Sequence, residues 1–269
     1  MTVGWVDLHN HLLPGVDDGA PDVPAALAAL RDFRAQGVRH VVTTPHWFAS
    51  WSAQPDAARR QADFDRAWED LRCAAADTVP DVVLERGAEV ALDTPHVDLT
   101  DTRLRLAGGP AVLVEFAALT IPPQAEDVLY RLRAAGYRPV LAHPERYRNL
   151  PRDVLAVARA WRRVGTALML NAASPLGGHG QRARDIALVL LAEGLVDLVG
   201  SDYHGRPARP LAVAPLVRWL RVHRGDALVE LLLAVNPRRL LDGEDPLPVP
   251  PWKPRRPWWR RLWDRTAAV

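Results

Sequence analysis

Along the chain, short runs rich in Val, Leu and Ile alternate with longer Ala/Leu/Arg segments whose apolar positions recur at helical spacing. This is the pattern of βα units around a mainly parallel sheet. Seven runs read as strands: residues 5–9, 39–46, 82–90, 111–116, 138–144, 167–172 and 195–202. Between them, residues 23–36, 55–76, 123–135, 151–163 and 182–193 read as helices, with further helical segments over 210–235. Gly37, Gly136, Gly165 and Gly194 stand between a helix and the next strand, where a left-handed residue closes the helix. The cadence predicts a barrel-like or doubly wound α/β fold, and no repeat of solenoid period competes with it.

With 269 residues, 48% of them hydrophobic, the chain suits one large α/β domain. The predicted body covers residues 1–245. A tail over 246–269 opens with PLPVPPWKPRRPWW, too rich in proline for a helix and read as an extended strap. Net charge is +2, but the tail sets six cations against Asp264, which leaves the body about three units negative. The basic pI thus belongs to the tail, and no nucleic-acid partner is expected. Cys73 is the single cysteine, so no intrachain disulfide and no thiolate metal cluster can form. Together with the absence of a signal-like or membrane-spanning apolar stretch, this predicts a cytoplasmic protein.

Polar residues fall on this frame with a bias. His9 and His11 follow the first strand, His46 the second, Glu89 the third, Glu115 the fourth and His143 the fifth, while Asp202 and His204 follow the seventh. In a parallel barrel, the C-terminal strand ends form one mouth, where loops build active sites. A lone histidine after an apolar run is usually a satisfied structural group. Agreement across six strand ends instead points to a metal centre. Imidazoles and carboxylates without thiolates suit Mn, Fe, Zn or Co, and so many ligands exceed the needs of one ion.

The motifs HNH at 9–11, VDDG at 16–19, TPH at 44–46, GAE at 87–89, VEF at 114–116, AHPER at 142–146 and SDYH at 201–204 resemble the polymerase and histidinol phosphatase (PHP) superfamily. LPGVDDGA and AHPERY narrow the resemblance to its manganese-dependent bacterial tyrosine-protein phosphatases of capsule and exopolysaccharide biosynthesis, the CpsB/CapC/YwqE group. It runs from about Val3 to Leu241. The resemblance implies a distorted seven-stranded (βα)7 TIM-like barrel holding three divalent ions. One ion would take His9, His11, Glu89 and Asp202. A second would take Glu89, Glu115 and His143, and a third Asp18, His46 and His204.

A phosphate monoester dianion hydrolyses extremely slowly unless its charge is offset and a nucleophile is generated. Clustered divalent ions supply both, with a metal-bridging hydroxide as the implied nucleophile. Arg146 and Arg206 are the candidate catalytic cations, gripping phosphate as bidentate forks, with Arg209 a substitute for Arg206 because the loop here is shorter than in the group. Thiol phosphatase chemistry needs Cys, five residues and Arg, but Val79 occupies the Arg position after Cys73. A nucleophile elbow and a P-loop are also absent. Asp17 reads as a turn carboxylate or one that supports a ligand, and Asn171 as a cap or a residue facing the site. His40, His96, His179 and His223 read as structural, away from the mouth.

The resemblance implies a phosphotyrosine protein substrate, the tail of a membrane-associated tyrosine kinase controlling polysaccharide export. A small-molecule phosphatase acting on histidinol phosphate, and a noncatalytic metal-stabilised module, are the alternatives. If the end of the tail is helical, Trp259 and Trp263, and Trp258 and Leu262, pair at four-residue spacing beside arginines. That face suits peripheral contact with anionic lipid. Packing back on the body, or across the interface of an oligomer, is the competing reading.

Overall fold

A computed structural model describes residues 4–206 and 209–253. The strands in it are β1 (Trp5–Asp7), β2 (Val38–Thr43), β3 (His46–Phe48), β4 (Val83–Arg86), β5 (Glu89–Ala91), β6 (Ala111–Glu115), β7 (Arg138–Ala142), β8 (Ala167–Asn171) and β9 (Leu198–Gly200). The helices are α1 (Val23–Ala35), α2 (Ala57–Thr78), α3 (Ala125–Ala134), α4 (Val154–Arg163), α5 (Gly180–Ala192), α6 (Val213–Val222), α7 (Asp226–Glu230) and α8 (Asn236–Leu241). A π-helical turn over Leu231–Val235 joins α7 to α8.

All strand pairs are parallel, in a three-stranded sheet β1-β2-β4 and a six-stranded sheet β3-β5-β6-β7-β8-β9. The second and third expected strands are each cut in two. Pro45, which has no N–H to give the ladder, separates β2 from β3. Gly87 separates β4 from β5, where a Cβ would lie 3.0 Å from the Arg105 carbonyl oxygen. Hydrogen bonds still cross the break, from Gly87 N–H to Thr43 O (2.9 Å) and from Glu89 N–H to Pro45 O (3.0 Å). Beyond β1 and β9 the outer edges also meet. Asn10 bridges Tyr203, His11 N–H donates to Tyr203 O (2.8 Å), and Asp202 N–H donates to His9 O (2.7 Å).

Alternation along the strands separates two apolar clusters. One face carries Val6, Leu8, Val42, Ala111, Leu113, Val140, Ala142, Ala167, Met169 and Leu198. The other face, with Val41, Val112, Val114, Leu141, Leu168, Leu170 and Val199, packs against the helices. The period of two therefore carries 111, 113 and then Glu115 along one face, and 167, 169 and then Asn171 likewise. Apolar layers give way to polar ones at the C-terminal ends.

The start of the tail packs on the body. Leu247 N–H donates to Asn236 Oδ1 (2.8 Å), and Trp252 gives its backbone N–H to Ala192 O (3.0 Å) and its indole N–H to His223 O (3.2 Å). Val249 and Trp252 are buried. The expected Trp258, Trp259, Leu262 and Trp263 face lies outside the described residues. Among the described residues no helix is long and apolar enough to cross a membrane.

Candidate metal centre

Six strand ends deliver their polar residues to one place, as expected. Glu89 lies at its centre, buried, with its carboxylate oxygens 3.2 Å from His9 Nε2, 3.4 Å from His11 Nε2, 3.1 Å from His46 Nδ1 and 3.0 Å from His143 Nε2. Asp202 Oδ1 stands 3.5 Å from His9 Nε2 and 3.3 Å from His11 Nε2. Glu115 lies 3.6 Å from His46 Nδ1 and 3.8 Å from His143 Nε2. At the outer edge, Asp18 Oδ1 is 3.3 Å from His204 Nε2 and 3.6 Å from His46 Nε2.

The donors fall into overlapping groups: His9, His11 and Glu89; His9, His143 and Asp202; His46, Glu89 and Glu115; and His11, Asp18, His46 and His204. Together these groups contain all nine residues expected as ligands. The groups overlap: His46 shares Glu89 and Glu115 through Nδ1 while its Nε2 turns to Asp18, and His143 groups with His9 and Asp202 while also lying 3.0 Å from Glu89 and 3.8 Å from Glu115.

Two of these residues are reached through left-handed backbone, His143 at φ 35° and Asp202 at φ 52°. For residues with a Cβ this costs of order 1 kcal/mol or more each. Such strain persists where the surroundings dictate side-chain direction. Gly200 serves the same end, since a Cβ there would lie 2.6 Å from the His9 Cβ.

Supporting contacts fix the rings. His11 Nδ1 lies 2.7 Å from Asp17 Oδ2, which also accepts from His46 N–H (3.1 Å), so His11 presents Nε2 to the cluster. Asp17 thus has the supporting role that its place in the sequence suggested. Buried Asp7 ties the first strand to the last, accepting from His9 N–H, Asn10 Nδ2 and Ser201 N–H. Asn171 Nδ2 donates to Asp202 Oδ2 (3.0 Å), so Asn171 faces the site.

Electrostatics follow the crowding. Burial opposes ionisation of Glu89, but His9, His11, His143 and His46 outweigh it and hold the carboxyl well below its usual range. Burial likewise loses to His9 and His11 at Asp202, which is also held well below. Glu115 goes the other way, pushed up to about 7 by burial and the Glu89 charge. Burial pulls His11 down, yet Asp17, Asp202 and Glu89 keep its imidazole well above the ordinary value.

The donor set fits divalent metal. His9 Nε2, His11 Nε2, His143 Nδ1 and Glu89 Oε2 are buried without a hydrogen-bond partner. Buried polar atoms are rarely left so. Donors about 2.1 Å from one ion stand roughly 3.0–3.5 Å apart at tetrahedral or octahedral edges, and the separations around Glu89 fall in or close to that range.

The cationic candidates differ in position. Arg146 Nη1 donates to Asp202 Oδ2. Arg206 and Arg209 are exposed, with Arg206 Nε donating to Gly19 O (3.3 Å), next in sequence to Asp18. Cys73 is exposed on α2.

Sequence reasoning missed Glu145 and misplaced His179. Buried Glu145 accepts from Asn171 N–H (3.1 Å) and Ser174 Oγ (2.6 Å), and burial pushes it up to about 7. His179 Nδ1 lies 3.0 Å from Ser174 Oγ. Burial and the Arg146 charge pull it down to about 4, so His179 belongs to the surroundings of the mouth. Its signal was weak, because a turn through Gly177 (φ 91°) folds that loop back. His40 is structural as expected, 2.5 Å from Glu85 through Nε2, and His223 Nδ1 lies 2.7 Å from Trp219 O.

Fold and cluster together define a class: parallel α/β proteins whose strand ends gather a His, Asp and Glu donor set for divalent metal. Within that class, the chain belongs to the CpsB/CapC family of capsular polysaccharide synthesis, whose model matches residues 5–242. The tyrosine-protein phosphatase YwqE of Bacillus subtilis is 28% identical over 93% of this chain and 97% of its own. A structure from work on YwqE of Bacillus subtilis and CpsB of Streptococcus pneumoniae, described as metal-dependent tyrosine phosphatases, superposes at TM-score 0.78. Identity there is 27%, covering 94% of this chain and 100% of the other. A mutant organophosphorus hydrolase from Deinococcus radiodurans aligns over 88% of this chain and 93% of its own, at TM-score 0.51 and 18% identity. That likeness concerns the fold alone.

Proposed function

We propose that this protein is a metal-dependent phosphatase that hydrolyses phosphotyrosine in protein substrates. The observation that carries the reading is the single cluster of nine imidazole and carboxylate residues around Glu89, with donor separations suited to shared ions. Membership of the CpsB/CapC family and the names of the relatives support the substrate class. The finer reading treats the two sheets as one distorted barrel of seven βα units, closed where Asn10 meets Tyr203. Its body spans residues 1–245, with the tail at 246–269 attached.

His9, His11, Asp18, His46, Glu89, Glu115, His143, Asp202 and His204 hold the metal, three ions in this reading. Manganese is the first choice, and Fe, Zn or Co suit the same donors. When bound, such ions lower the pKa of coordinated water and offset phosphoryl charge during in-line displacement. Arg146, anchored on Asp202, presents its guanidinium to the phosphoryl oxygens, and Arg206 with Arg209 supplies positive charge at the rim. Asp17 fixes the tautomer of His11. No side chain forms a covalent intermediate in this reading, in keeping with Cys73 lying exposed on α2. The tail of a membrane-associated tyrosine kinase is the proposed partner.

The test compares turnover of a phosphotyrosine peptide and of histidinol phosphate by chelator-treated protein, with and without added Mn. Mn-dependent turnover that favours the peptide is expected. Preference for histidinol phosphate would replace the substrate class, and silence on both with Mn present would overturn the enzyme reading.

A further inference from the structure

An aromatic pair follows His46 of the donor cluster on β3 and has no part in the chemistry assigned above. β3 runs His46, Trp47, Phe48, and alternation sends the middle ring to the opposite face from its neighbours. Trp47 is buried, packing edge to face on Phe64 (centroids 5.4 Å) and Trp51 (5.5 Å). Phe48 therefore shares the face of His46, about 6.5 Å further along the strand toward the mouth. It remains 37% exposed.

Register places Phe48 one layer beyond Glu89 and level with Glu115. His46 pairs with Glu89, while Phe48 pairs with Ala91, which in turn pairs with Glu115. The small Ala91 side chain is all that β5 contributes between the ring of Phe48 and the carboxylate of Glu115. Trp51 backs the exposed ring at 4.9 Å between centroids, tilted by 46°. The guanidinium of Arg60 covers Trp51 at 4.2 Å. The turn that carries Trp51 is pinned, because Ser50 gives its N–H (2.9 Å) and its hydroxyl (2.5 Å) to Asp93. The pair is thus held in place in advance.

We propose that Phe48, supported by Trp51, binds the phenyl ring of the phosphotyrosine substrate and so selects aryl over alkyl phosphates. This rests on the phosphatase reading. In an aryl phosphate the ring is one ester oxygen away from phosphorus, so a phosphoryl group bound to cations that Glu89 and Glu115 would ligate brings the ring toward Phe48. Aromatic rings meet there in offset or edge-to-face geometry. An alkyl phosphate has no ring to offer this surface. Phe48 acts on ring binding in both ground and transition states, so its effect falls on KM more than on kcat.

The test uses full-length, Mn-loaded protein and the variants Phe48→Ala, Phe48→Tyr and Tyr130→Ala. Tyr130 is an exposed ring on α3 and serves as the control. Calorimetric titration with phenylphosphonate and methylphosphonate gives the binding preference, and a phosphotyrosine peptide gives kcat and KM. In Phe48→Ala, the preference for phenylphosphonate and the kcat/KM for the peptide are both expected to fall about tenfold, the latter through KM. Phe48→Tyr is expected to keep both, as is Tyr130→Ala. An unchanged phosphonate preference in Phe48→Ala, or an equal loss in Tyr130→Ala, overturns the inference even if wild-type turnover supports the phosphatase reading. If the wild type turns over no ester, that reading fails separately, and the phosphonate titration still decides whether the ring site exists.

Discussion

At the C-terminal ends of the strands, imidazoles and carboxylates crowd together and several buried atoms have no hydrogen-bond partner. At the opposite ends, charged groups meet partners of opposite charge, although Arg138 Nε and Thr166 Oγ1 are also buried there without a hydrogen-bond partner. Asp197 accepts from Arg162 (2.8 Å) and from Leu168 N–H (2.9 Å), while Asp245 takes both terminal nitrogens of Arg133 at 2.8 and 2.7 Å. Asn236 ties the same end together through Asp197 O and Leu247. Pairing opposite charges and satisfying their hydrogen bonds limits the desolvation cost, and the result is structural. At the other end imidazoles offset the Glu89 charge, but Glu115 beside it is pushed up to about 7 and several buried donor atoms stay unpartnered, a need that divalent ions would meet. The contrast separates the end whose donors fit divalent metal from the end whose charges meet opposite partners.

The largest expected effect separates the two ends. Glu89→Gln should lower kcat/KM for a phosphotyrosine peptide by about a thousandfold, because it removes a central charged donor. A circular dichroism melt should show the variant still folded. Activity within tenfold of wild type would remove Glu89 from the centre. Asp197→Ala should do the reverse. Loss of its contacts leaves Leu168 N–H without an acceptor and Arg162 with only Gly194 O, and costs about 2 kcal/mol in urea unfolding. Turnover per folded molecule should stay at the wild-type level.

A subtler effect comes from the mouth's own carboxylates. Burial raises Glu145 from 4.5 to about 7, so the folded state holds this proton more tightly than the unfolded chain. Its contribution to stability is complete below pH 4.5 and is lost as pH rises through about 7. Glu145→Gln, which keeps an acceptor for Ser174, should therefore lose less stability than wild type between pH 5 and pH 8. The difference should be about 2 kcal/mol. Parallel stability curves for the two proteins would contradict this assignment.

Much of the centre was legible because each donor directly follows an apolar run, and parallel strands bring their ends to one mouth. His9, Glu115 and Asp202 could be read that way from local sequence. The breaks at Pro45 and Gly87 were less visible, since the apolar pattern continues across them and only the ladder changes. His179 escaped because its position depends on a turn in the loop before α5, and loop direction leaves little trace in periodicity. Glu145 lay inside a recognised motif, but its burial depends on Ser174 and Asn171 from another strand end. No motif in the sequence singles out Phe48, although its spacing from His46 puts both on one face. The strap at the start of the tail was readable from its prolines, whereas its anchor on Ala192 and His223 needed the packed structure.

The central claim is that the strand ends form one shared centre for several divalent ions. Mass spectrometric metal analysis of the desalted protein, stripped and then reloaded with Mn, tests it most directly when His9→Ala is treated in parallel. More than one tightly held ion per wild-type chain, with a clear loss in His9→Ala, is the predicted result. A wild-type chain that retains no ion, or a His9→Ala chain that retains the full complement, would contradict the account.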